Sequence, residues 1–77
     1  MQTSNLEIVN VVSKAISTII WDHSNGRMMI KFKDSPVYLY PSATRALFDQ
    51  FVKSPSKGQF FKTQIENQHR DFICLNN

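Results

Sequence analysis

Two β-rich runs on either side of Asn25-Gly26 constrain this chain more than any other feature. Ala15 to Asp22, AISTIIWD, is dominated by β-branched and aromatic side chains, and RMMIKFK at 27 to 33 alternates apolar with polar residues. An alternation of period two is that of a strand with one covered face. Asn25 and Gly26 tolerate the positive φ values of a tight turn, so the two runs predict an antiparallel hairpin. Asp34-Ser35-Pro36 then interrupts, and VYLY at 37 to 40 predicts a third strand. Upstream, Leu6 to Val12 is rich in Ile and Val but broken by Glu7 and Asn10; it reads either as a short strand or as an irregular segment across the core.

Two helices are expected next. Pro41-Ser42 stops the strand and Ser42 can accept the free amides of a first helical turn. Ala43, Ala46, Leu47, Phe48, Phe51 and Val52 then place an apolar stripe on one side. Pro55 interrupts, and Ser56-Lys57-Gly58-Gln59 has the form of a capping box opening a second helix to about His69, with Phe60, Phe61 and Ile65 buried. The tail RDFICLNN is too apolar for a free end and could add an edge strand or cover the sheet. The expected fold is α+β, a small three-stranded antiparallel meander packed against two helices. At 77 residues the chain holds one core, a single domain over 6–75 after a flexible polar start at 1–5.

Charge and composition narrow the function classes. The net charge is +3, and from Arg27 to Lys62 seven basic residues face only Asp34 and Asp49. Such a field favours a polyanion or an acidic protein surface. No apolar run approaches the roughly 20 residues that cross a bilayer, and MQTSNLEIVN has no signal-peptide pattern, so a cytoplasmic protein without membrane contact is expected. Cys74, the only cysteine, cannot form an internal disulfide or a thiolate metal cluster. No HxxxH or CxxC spacing occurs, so no metal and no cofactor are expected. Asp22-His23 and His69-Arg70-Asp71 could assemble a His–Asp cluster, but Ser13, Ser56 and Cys74 lie in no nucleophile motif, and no catalytic residue is assigned.

Strand parity suggests a binding face. With Asp34-Ser35 as a two-residue connection, Phe32 faces Val37, Lys31 faces Tyr38 and Met29 faces Tyr40. Met28, Ile30, Phe32, Val37 and Leu39 then point to the helices, and Arg27, Met29, Lys31, Lys33, Tyr38 and Tyr40 share the other face. A two- or four-residue turn at Asn25-Gly26 puts Trp21 on the side of Met28. The candidate ligand-binding set is therefore Arg27, Lys31, Lys33, Tyr38 and Tyr40, with Lys57 beside the second helix start. Basic and aromatic side chains together resemble a stacking platform for single-stranded RNA or another nucleic acid. The alternatives are tyrosines packed under the tail or in a homo-oligomer interface, and a protein-interaction or regulatory role in which the basic surface meets an acidic partner.

The stretch from Val12 to Ile65 resembles the KTSC domain family, small domains found at the carboxyl end of some lysyl-tRNA synthetases and as stand-alone proteins. The resemblance rests on Ser13 with Ile16, Trp21-Asp22, Met28-x-Ile30-x-Phe32, Tyr38-Leu39-Tyr40, and Ser56-Lys57-Gly58-Gln59-Phe60-Phe61 with Ile65. It implies a domain without established catalytic activity, for which RNA binding is suggested by the synthetase association; a phage or mobile-element source also fits so small a protein. Lys14, Ala43-Thr44, Glu66 and His69 depart from the family pattern, and the acidic charge at Glu66 argues against a phosphate contact on the second helix.

Overall fold

In a computed structural model of the chain, residues 5–34 and 36–75 are described. They form one antiparallel sheet of five strands, where three were expected, in the order β1-β2-β3-β4-β5. The strands are β1 Leu6–Asn10, β2 Ile16–Asp22, β3 Arg27–Phe32, β4 Val37–Tyr40 and β5 Ile73–Cys74. Between β4 and β5 come α1, Arg45–Lys53, and α2, Lys57–Phe60, which continues directly into a π-helical turn, Phe61–Glu66.

The two additional strands are the edges. Glu7 and Asn10 do not prevent β1 from forming because both side chains find partners. Arg45 Nη1 donates to Glu7 Oε1 at 2.7 Å, and Thr18 Oγ1 donates to Asn10 Oδ1 at 3.3 Å. The tail supplies β5, with Cys74 opposite Tyr38, Ile73 opposite Leu39, and the Leu75 N–H donating to the Val37 carbonyl at 2.8 Å. Residues 1–4 of the polar start lie outside the described residues. Asn5 is tied down, its carbonyl accepting from the His23 N–H at 2.9 Å and its amide donating to Ser24 Oγ at 2.8 Å.

The first hairpin turns through His23 to Gly26, with Gly26 in the left-handed region at φ 65°. The Asp22 carboxylate accepts from the Ser24 N–H at 2.9 Å and from Asn25 Nδ2 at 3.0 Å, which holds the loop. A four-residue turn keeps Trp21 opposite Met28 and on its face.

The second connection corrects the expected register. Met28 pairs with Tyr40, Ile30 with Tyr38 and Lys31 with Val37, and the Phe32 N–H donates to the Pro36 carbonyl at 2.9 Å. The connection therefore spans 33–35, of which Ser35 lies outside the described residues, and not Asp34-Ser35 alone. A slip of one residue carries every β4 side chain to the opposite face. Tyr38 and Tyr40 face the helices, and Val37 and Leu39 face away.

The core lies between the sheet and the helical layer. Ile16, Ile19, Trp21, Met28, Ile30 and Tyr40 meet Ala43, Phe48, Phe51 and Ile65, all buried. The Trp21 and Phe48 rings are 5.8 Å apart, and Phe51 stacks on Phe60 at 5.2 Å. Helix α1 is capped by Thr44, whose Oγ1 accepts from the Leu47 N–H at 3.1 Å, and not by Ser42. Only half of the expected box forms at α2. The Gln59 N–H donates to Ser56 Oγ at 3.4 Å, but the Ser56 N–H donates to Ser54 Oγ at 3.2 Å. The helical segment also stops at Glu66, short of His69, where the Gln68 and His69 N–H groups both close on the Ile65 carbonyl.

Candidate functional site

The six candidate residues fall in three places. Arg27 and Lys31 alternate with Met29 on the sheet face that no helix covers, and the exposed Lys33 follows in the turn. Tyr38 and Tyr40 lie on the opposite, helix-facing side. Lys57 is separate from both; its ammonium donates to the Ser54 carbonyl, and it borders a hollow with Ser13, Lys14, Ser56 and Gly58. The stacking platform is thus divided, its cations on one face and its rings on the other.

Four registers build the open face. Ile8 is opposite Ile20, Ile20 opposite Met29, Met29 opposite Leu39, and Leu39 opposite Ile73. These five side chains make a continuous apolar row across every strand. Ile8 is 58% and Ile73 50% exposed at its ends. Asp22 and Arg27 flank the row on one side, and Asn10, Thr18 and Lys31 on the other. Among the described residues this face carries no aromatic ring. The row was not found in the sequence because it exists only once all four pairings are known.

On the helix side, the tyrosines join a cluster of rings. Phe32, Tyr38, Phe72, Tyr40 and Phe61 form a closed cycle, each ring 5.2 to 6.4 Å from the next. They line a cleft of about 330 Å³ with Pro36, Asp34 and Glu66. Tyr40 is 2% exposed, and burial, with smaller effects from Tyr38 and Glu66, pushes its phenol above the usual range. Parity from Cys74 opposite Tyr38 brings Phe72 to this face, so the tail completes the cleft.

One cation of the basic segment, Arg45, is already engaged. Arg45 bonds Glu7 and, through Nε, Asp49 at 3.1 Å, and its guanidinium lies 4.9 Å over the Phe48 ring. The hydrogen bond from Arg45, together with the nearby charges of Arg45 and His23, holds the Glu7 carboxyl below its usual range.

The histidines do not assemble with each other. His23 Nε2 meets Glu7 at 3.2 Å, whereas His69 Nδ1 is 2.9 Å from Ser42 Oγ, which donates to Asp71 Oδ1 at 2.9 Å. With the Ser42 hydroxyl donating to Asp71, the His69 contact is completed by Nδ1 donating to Ser42 Oγ. The trio ties the end of the helical layer to the turn after β4. Among the described residues no group of three His, Cys, Asp or Glu could hold a metal ion, and no helix is long and apolar enough to cross a membrane.

The model of the KTSC domain matches residues 12–69. The chain belongs to the KTSC domain family. A crystal structure of a KTSC domain protein from Yersinia pestis is similar throughout, with a TM-score of 0.77 at 26% identity over 94% of this chain and 97% of that one. The curated proteins contain no match to this KTSC domain. Both edge strands lie outside the matched span, so Phe32, Tyr38, Tyr40, Phe61 and Glu66 of the cleft fall within it and Phe72 does not.

Proposed function

We propose that this KTSC domain is a non-catalytic binding module whose open sheet face docks a protein bearing an apolar patch rimmed by carboxylates. The observation that carries this reading is the apolar row from Ile8 to Ile73, left exposed beside Arg27 and Lys31. An apolar centre with a charged rim is the anatomy of a protein interface, and rim cations set partner choice and association rate. A second copy is a poorer occupant, since face-to-face pairing brings two cationic faces together in a chain of net charge +3. Single-stranded RNA is the second reading, with Arg27, Lys31 and Lys33 as phosphate contacts. It is less favoured because stacking on Tyr38 and Tyr40 would require the face opposite those cations.

A photo-cross-linking residue at Ile8, with Gln50 on α1 as control, tests the reading in an extract of the source cells. The expected product is a defined adduct at position 8 only, with an acidic protein, resistant to nuclease and lost in Arg27→Glu/Lys31→Glu. A nuclease-sensitive adduct moves the face to nucleic acid. A self-adduct makes it a homodimer interface, and equal labelling at positions 8 and 50 removes the site.

A further inference from the structure

Independently of the open face, we infer that the five-ring cleft recognises an organic cation, an alkylammonium or guanidinium group such as basic side chains carry. The rings of Phe32, Tyr38, Phe72, Tyr40 and Phe61 close a circuit around it. An aromatic face attracts positive charge through its quadrupole, most strongly where water is excluded. Packing accounts for the ring contacts, but all five rings also line a cleft of about 330 Å³. That is the lower end of the range for small-ligand sites.

Polar groups decide the sign of the ligand. Asp34 and Glu66 are the ionisable lining residues apart from the tyrosines, and among the described residues neither is in an ion pair. Two such carboxylates, with no cation among the lining residues, disfavour phosphate and favour a cation. Tyr40 supplies a further acceptor. Among the described residues nothing hydrogen-bonds its hydroxyl, yet no buried side-chain polar atom lacks a partner. The oxygen therefore keeps some accessible surface on a ring that lines the cleft. Arg70 lies in an adjoining depression with Glu66, Asn67 and Phe72, outside the cleft lining.

Amide-resolved NMR titration with butylammonium and butylguanidinium, against neutral butanol and anionic adenosine monophosphate, tests this site. Both cations should shift the amides of Tyr38, Tyr40, Phe61 and Phe72 saturably, with dissociation constants of about 1–10 mM for so small a probe. Butanol should bind at least about fivefold more weakly, and the nucleotide should leave these amides unmoved. Glu66→Gln and Phe72→Ala, both at exposed positions, should each weaken the cations about three- to tenfold while the remaining spectrum certifies the fold. Ile8→Glu should leave cation binding unchanged, which separates this result from failure of the open-face reading. Equal response to butanol and butylammonium, unchanged binding in Glu66→Gln, preference for the nucleotide, or no saturable shift overturns the inference.

Discussion

The two faces of the sheet are built by the same alternation and end in opposite states. On the helix side Ile19, Trp21, Met28, Ile30 and Tyr40 are buried under α1 and the π-helical turn. On the other, Ile8, Ile20, Met29, Leu39 and Ile73 are as apolar, yet among the described residues no helix lies over them. In a single-sheet domain with one helical layer, an apolar second face does not stabilise the monomer in proportion to its area. It gains most when another surface covers it.

Substitution should separate the faces, with the largest effect on the helix side. Phe51→Ala removes a fully buried ring that stacks on Phe60 and should cost about 3–5 kcal/mol, much of the stability of so small a domain. Urea denaturation measures it, and a change below about 1 kcal/mol would place the core elsewhere. Ile8→Ser, at an exposed end of the open row, should change stability by no more than about 0.5 kcal/mol. A cost above about 2 kcal/mol would mean that this face is covered in the monomer.

The smallest effect concerns the edge where Arg45 reaches Glu7. Because Arg45 lowers the Glu7 pKa in the fold, the unfolded carboxylate takes up a proton first as pH falls. The contribution of the pair is thus complete above the ordinary carboxylate pKa and is lost as pH falls through the lowered, folded value. Wild type should exceed Glu7→Gln slightly in urea midpoint at neutral pH and converge with it in acid. A gap that widens in acid would contradict the pairing. Both side chains are exposed, so solvent screening keeps the difference small.

What the sequence disclosed follows from local chemistry. The β2–β3 hairpin was legible because Asn25-Gly26 tolerates the left-handed turn and RMMIKF has one apolar face. Trp21 lies on the face that an even turn gives it, where a three-residue turn would have reversed it, because even loop lengths preserve parity. The face of Tyr38 and Tyr40 is not legible because Val37, Tyr38, Leu39 and Tyr40 can each sit against a core, so only the length of the 33–35 connection decides. β1 is ambiguous in the sequence because Glu7 is satisfied by Arg45, a partner 38 residues away. The cap moved from Ser42 to Thr44 for a similar reason, since Ser42 is engaged by His69 and Asp71 from the far end of the chain. Of the binding set, the grouping of Arg27, Lys31 and Lys33 near the open face was readable, whereas the cleft required Phe72, which reaches the tyrosines only through β5.

That last dependence makes the cleft a timed structure. One wall is carried by a two-residue edge strand, a segment short enough to detach and reattach without melting the rest. Any occupant that touches Phe72 would therefore hold β5 in place. Occupancy should be readable at a distance, as slower deuterium uptake at the Leu75 amide, which bonds the Val37 carbonyl, while Ile19 and Ile30 exchange at an unchanged rate.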